Sequence, residues 1–176
     1  KKIILSEFHK SNTFFKGFNK FIKAVNNLEK KEEYFLIFFG EYEDKTLHFL
    51  SNFDIKHFGF LKNIETLRLL YSCADVFVAP TIMDSFGKTL AESMACGTPV
   101  VCFNATGPKY IVSHKIDGYK AKPYDSELLK IGIEWIFNYH PYNELSFQAR
   151  KNAVNFFDVN VSAKQYLNIY NEIMQG

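Results

Sequence analysis

The sequence is poor in the residues that would staple it, coordinate a metal or charge it strongly. Its three cysteines, Cys73, Cys96 and Cys102, are an odd number set in apolar stretches at no metal-ligand spacing. That argues against a disulfide framework or a zinc site and reads as buried free thiols in a reducing compartment. Charge of one sign is missing as well, because 21 basic residues nearly cancel 19 acidic ones to leave +2. Such a balance offers no electrostatic footprint for nucleic acid. No apolar run approaches the roughly 18 residues that a membrane-spanning helix needs, and no secretory signal is legible at the N-terminus. Internal repeats, linkers and low-complexity tracts are absent too.

What is present is an ordinary globular composition, 47% apolar and 23% charged. It excludes a disordered, collagen-like or coiled-coil chain, and the length suits one domain with a real core. The aromatic share is high at 17%, with 19 Phe and 10 Tyr. An AT-rich coding sequence, also suggested by many Lys, Asn and Ile, accounts for this as well as a functional reason does. The chain starts without Met, almost directly on Ile3-Ile4-Leu5, and reads as a piece of something longer.

Short apolar runs alternate with amphipathic stretches. Strands are expected at 2–6, 34–39, 55–60, 75–79, 99–103 and 118–121. Helices are expected at 14–28, 45–50 (short, with a strand as the alternative), 64–72, 87–96, 127–139, 143–157 and 161–174. This alternation implies an α/β fold: a doubly wound, Rossmann-like parallel sheet of about six strands, helices on both faces, and extra C-terminal helices. In the strand order 3-2-1-4-5-6, ligands bind beyond the carboxyl ends of strands 1 and 4. Three loops therefore become candidates: Glu7–Gly17, Pro80–Gly87 and Asn104–Lys109.

The first loop has no GxGxxG or Walker pattern, so dinucleotide and P-loop chemistry are weakly supported. It does carry Lys16-Gly17 at a helix entry. A lysine there can reach an anion while glycine lets backbone approach closely; the plain alternative is a solvated lysine beside a turn glycine. The second loop is richer, running from Pro80 through Asp84-Ser85-Phe86-Gly87-Lys88-Thr89 to Glu92. A glycine-led helix start leaves N–H groups free and favours an anion at 86–89. Glu92 lies among Leu90, Ala91, Met94 and Ala95, so its carboxylate needs a polar partner, either sugar hydroxyls or a structural lysine. Asp84 suits either ligand contact or an ordinary cap.

These segments resemble the donor-binding C-terminal half of the retaining glycosyltransferases of family 4 (group 1), which have the GT-B fold. The resemblance rests on Ala74-Asp75-Val76-Phe77-Val78-Ala79-Pro80, Asp84-Ser85-Phe86-Gly87, and Glu92-Ser93-Met94-Ala95-Cys96-Gly97-Thr98-Pro99. It continues through Lys16-Gly17, His57-Phe58-Gly59-Phe60, Thr106-Gly107-Pro108-Lys109, His114-Lys115 and Gly118-Tyr119, covering most of residues 1–137 in order. Three departures stand out. The first carboxylate is Asp84 where Glu is commoner. An Arg usual ahead of the lysine is missing, with Lys10 the nearest basic residue. Tyr110 replaces a frequent acidic residue.

The resemblance implies a UDP- or GDP-sugar donor, no cofactor, and a retaining, metal-independent transfer. By position, Glu92 would accept hydrogen bonds from both ribose hydroxyls and Asp84 would face the transferred sugar, near Ser85. Backbone N–H groups of Phe86, Gly87 and Lys88 would meet the sugar, that of Thr89 the diphosphate, and Lys16 would neutralise the leaving group. Gly59, Phe60 and Leu61 fall where the base docks. The acceptor, a saccharide or lipid-linked saccharide, would come from an absent N-terminal domain, so this chain alone is expected to be inactive. Surface polysaccharide or lipopolysaccharide assembly, a cytoplasmic location and peripheral association with the inner membrane face are the family-level expectations. A non-catalytic nucleotide- or sugar-phosphate-binding module is the alternative. The apolar residues of the last helix (Tyr166, Leu167, Ile169, Tyr170) are expected to dock on this domain, seated by Phe156 and Phe157.

Overall fold

The most apolar short runs of the sequence sit where contact with water is least, in the middle of one sheet. The computed structural model describes residues 1–8, 15–41 and 47–175. In it, β1 (Lys2–Phe8) lies between β2 (Tyr34–Gly40) and β4 (Val76–Ala79), all parallel. Beyond them come β3 (Asp54–His57) on one side and β5 (Val100–Phe103) with β6 (Gly118–Ala121) on the other. The order is β3-β2-β1-β4-β5-β6, as anticipated. All residues of β4 and β5 are buried, which explains why they read as solid apolar runs, whereas edge strand β3 alternates between exposed and half-buried.

Because side chains alternate across a strand, neighbours enter different cores. Ile4, Leu36, Phe38 and Val101 pack with Phe21 of α1 (Phe18–Asn26) and Ile133 of α5 (Ser126–Asn138). Leu5, Ile37 and Phe77 pack on the other face with Tyr71 of α2 (Ile64–Cys73) and Met94 of α3 (Lys88–Ala95). Ala149 of α6 (Tyr142–Phe157) joins that second core. A short helix, α4 (Pro108–Ile111), follows β5, with proline in its first turn, where a missing N–H costs nothing. The last helix is α7 (Val159–Gln175). Among the described residues, no helix is long and apolar enough to cross a membrane.

Several expectations need correction. The third strand ends at His57 rather than at 60, because Gly59 takes a left-handed conformation (φ 67°) that turns the chain out of the sheet. The first helix begins only at Phe18, after Gly17 at φ 67°; position 14 lies outside the described residues. Of the helix expected at 45–50, positions 45 and 46 lie outside them, and His48–Leu50 form a single 3-10 turn. The thiols are not uniformly buried. Cys102 is fully buried, which pushes its pKa up to about 12, and Cys96 is half-buried. Cys73 is exposed, since it ends α2 on the outward side of the helix.

The last helix does not dock. It has no buried residue, and Tyr166, Leu167, Ile169 and Tyr170 are all 50–62% exposed. The expected seat goes unused: Phe156 stays exposed, the ring of Phe157 packs edge-on against Phe86 at 5.6 Å, and Asp158 adopts an extended backbone that redirects the chain.

The ends of β2 and β3 are tied through His57. Its Nδ1 accepts from the Gly59 N–H at 3.3 Å, so Nε2 carries the proton and donates to the Gly40 carbonyl at 2.9 Å. This needs a neutral ring, and burial lowers the His57 pKa below its ordinary 6.5. The unfolded chain therefore binds the proton first as pH falls. Stability from this ring should be lost as pH drops through about 6.5, seen as falling melting temperature. A His57→Gln variant, less stable at neutral pH, should show a flatter pH profile.

Gly17 carries a heavier constraint. A Cβ placed there would lie 1.8 Å from the Pro80 carbonyl oxygen, on top of the strained φ. Gly17→Ala should lower the melting temperature by at least about 5 °C, since left-handed strain and a backbone clash together exceed about 2 kcal/mol.

Candidate functional site

β1 and β4 are neighbours, yet the strands following each lie on opposite sides, so the loops at their carboxyl ends face one another. Backbone bonds knit these loops. The N–H of Ile82 donates to Phe15 O at 2.7 Å, and that of Gly107 to Asp84 O at 2.9 Å. All three loops singled out from sequence thus converge on one place, as far as they are described. Lys10 lies outside the described residues.

Asp84 organises the centre. Its Oδ1 accepts from the N–H groups of Phe86 (3.1 Å) and Gly87 (2.9 Å), setting up the turn into α3. Its Oδ2 faces Lys16 Nζ at 3.5 Å, and Glu7 Oε2 lies 3.8 Å from the same ammonium. These separations are long for hydrogen bonds, so Lys16 is held loosely between two carboxylates. The N–H groups of Phe86 and Gly87, expected to meet a sugar, are therefore already taken by Asp84. Gly87, at φ 100°, leads α3 without a side-chain cap. Among the described residues, no acceptor meets the N–H groups of Lys88 and Thr89, which leaves them as the open donors.

Glu92 lies on α3, beyond Thr89. Its Oε2 accepts from the Tyr71 hydroxyl at 3.2 Å, and Lys88 Nζ lies 3.4 Å from Oε1. The Lys88 side chain is 84% exposed, so that pair yields easily to a ligand. Glu92 also lines a cleft of about 240 Å³ together with Glu7, Phe60, Leu61, Lys88 and Thr89. Gly40 closes the strand side of this cleft. Wider grooves exist, up to about 760 Å³ beside α7, which Lys88 and Glu92 also border, but this smaller one brings them together with Glu7 and Thr89 at the switch point. Burial and the nearby charges of Glu92 and Glu7 push the Tyr71 phenol well above its usual pKa, so it stays a donor.

Most residues marked from the sequence fall on this cleft or its rim, in different roles. Phe60, Leu61, Lys88, Thr89 and Glu92 line it, and Lys16 and Asp84 adjoin it through Glu7. Gly59 lies behind, with its N–H on His57 and its carbonyl accepting from Gly40 N. Gly17 supplies the close approach of the first loop to Pro80. Ser85 and Phe86 have exposed side chains, with Phe86 against Phe157. Tyr110 is 78% exposed, under the Lys109 ammonium at 4.6 Å.

Glu7 and Tyr71 were not singled out. Glu7 had a usable signal, a carboxylate near the end of a mostly apolar strand. Tyr71 had none, because its ring looks like any inward aromatic of α2.

Comparison with known proteins agrees with this fold. An uncharacterized glycosyltransferase of Methanocaldococcus jannaschii is 26% identical over 170 residues, 93% of this chain and 43% of that protein. The N,N'-diacetylbacillosaminyl-diphospho-undecaprenol alpha-1,3-N-acetylgalactosaminyltransferase of Campylobacter jejuni is 26% identical over 167 residues, again 43% of its length. The chain thus spans less than half of these relatives. Anabaena HepE, solved in complex with UDP and glucose, shares the fold with a TM-score of 0.76 at 21% identity, over 97% of this chain and 48% of that one. Residues 8–155 match the family model for glycosyl transferases group 1, and the chain belongs to that family.

Proposed function

We propose that this chain is the donor-binding half of a retaining glycosyltransferase, with a nucleoside-diphosphate sugar lying along the cleft from Gly59–Leu61 to Gly87. The observation that carries the reading is the cleft itself: one switch-point hollow gathers the Glu92 carboxylate, the open N–H groups of Lys88 and Thr89, and, through Glu7, the loosely held Lys16. That HepE was solved with UDP and glucose supports a nucleotide sugar as the ligand.

In this reading Glu92 takes both ribose hydroxyls, and Lys88 swings away to admit them. Breaking the glycosyl–phosphate bond leaves negative charge on the diphosphate. Lys16 exchanges its carboxylate partners for that charge, and the start of α3 adds its free N–H groups and dipole. Asp84 stays anchored through Oδ1 and offers Oδ2 to the sugar. Because protein groups neutralise the leaving group, transfer needs no metal. A saccharide or lipid-linked saccharide acceptor, bound by a further domain, fits the diphospho-undecaprenol named in the Campylobacter relative, and with it surface polysaccharide assembly at the cytoplasmic membrane face. The uncovered apolar residues of α7 also favour a neighbouring domain. The chain alone should bind donor and transfer nothing. Measurable transfer by it would refute the half-enzyme reading, and a full-length protein that binds nucleotide yet never transfers would favour a binding module.

Two substitutions test the assignment. Glu92→Ala should weaken nucleoside-diphosphate binding about 10- to 150-fold, given the usual strength of hydrogen bonds to a charged group. Unchanged binding in calorimetry, with a collapsed melting temperature, would make Glu92 purely structural. Lys16→Ala should cost more affinity for a diphosphate than for a monophosphate, and the gap should shrink at high salt. Equal losses would relegate Lys16 to the surface. EDTA should leave binding by the unmodified chain unchanged.

A further inference from the structure

Resting on that donor reading, we infer that Tyr71 is a positioning residue: its hydroxyl aims the Glu92 carboxylate so that both ribose hydroxyls meet it together. A glutamate carboxylate rotates almost freely about its last bond. On a helix beside an open cleft, Glu92 would sample many orientations, and fixing it on binding would cost affinity. Its contacts differ sharply in stiffness. Lys88, at 3.4 Å from Oε1, is a mobile surface side chain. Tyr71, at 3.2 Å from Oε2, is 1% exposed.

The phenol is immobilised from several sides. Its ring stands edge-on to Phe39 (5.8 Å) and Phe77 (5.4 Å) in the core between α2 and the sheet. Its backbone carbonyl accepts from Thr98 Oγ1 at 2.5 Å, and the Thr98 carbonyl accepts from Ser93 Oγ at 3.1 Å. Ser93 follows Glu92 on α3, and both Ser93 and Thr98 are buried. The last turn of α2 is thereby locked to the helix carrying Glu92. The donor's direction is set by packing before any ligand arrives. A carboxylate has about four lone-pair sites, so one bond on Oε2 orients the group and leaves capacity for two hydroxyls. For packing alone the hydroxyl is superfluous, and a buried one is costly unless bonded. Phenylalanine would fill the same space, so the oxygen is explained by Glu92.

Tyr71→Phe keeps the ring contacts and should stay folded. Calorimetry on the unmodified and variant chains with UDP, GDP and their 2′-deoxy counterparts reads the effect. Tyr71→Phe should weaken ribonucleotide binding about 3- to 10-fold, the worth of one ordinary hydrogen bond. Binding of the 2′-deoxy forms should change little, so discrimination between the sugars shrinks. On a Glu92→Ala background, adding Tyr71→Phe should change neither affinity. Loss of affinity with unchanged ribose-to-deoxyribose discrimination would overturn the inference and leave Tyr71 a structural residue. Failure of the unmodified chain to discriminate at all, with Glu92→Ala binding normally, would overturn the donor reading itself and this inference with it.

Discussion

Where β1 and β4 run side by side, the chain crosses to opposite sides of the sheet, and everything at the carboxyl end follows from that reversal. The loops after the two strands must face each other without a covering helix between them. They can come close only because residue 17 has no side chain: the Pro80 carbonyl occupies the space a Cβ would fill. Parallel strands need crossover connections, and two cores, one on each face, hold the sheet beneath the site. The loops are free to carry chemistry because the strands beneath them are rigidly buried.

Electrostatics at that place is unusual in its balance. One ammonium, Lys16, faces two carboxylates, Glu7 and Asp84, in a half-buried setting. Beside them, the start of α3, without a side-chain cap, and the open N–H groups of Lys88 and Thr89 are positive in character. Neither carboxylate comes within ordinary hydrogen-bonding distance of Lys16, so the arrangement stores no tight buried pair that a phosphate would have to break. Asp84 differs from Glu7 because its other oxygen is fixed by two backbone donors. One oxygen thus holds the turn that precedes α3 while the other faces Lys16. Glu92 likewise divides its oxygens, between exposed Lys88 and buried Tyr71, while lining the cleft.

The strand order, the two buried faces and the location of the cleft were legible in the sequence because each depends on local pattern. Apolar runs ending at Gly40 and Pro80, helical spacing in α1, and Asp84-Ser85-Phe86-Gly87 ahead of Glu92 are determined by neighbours along the chain. Residue pairs distant in sequence were not legible. Tyr71 and Glu92 are 21 apart and meet only because α2 packs on α3. Glu7 and Lys16 stand on either side of the first loop and come within 3.8 Å only in the folded chain. The Cys73 thiol is exposed because the direction of a residue in the last turn of a helix depends on what that turn packs against.

The last helix shows the division most clearly. Its amphipathic spacing was enough to expect a helix at 161–174, close to the observed Val159–Gln175, since backbone hydrogen bonding and propensity are local. Where it goes was decided by Asp158 and by Phe157 turning inward to Phe86, contacts set by the whole domain. A sequence specifies which side chains want burial, through their own apolar surface. Which of them obtain it depends on surfaces brought together from far along the chain, and only the tertiary structure contains those.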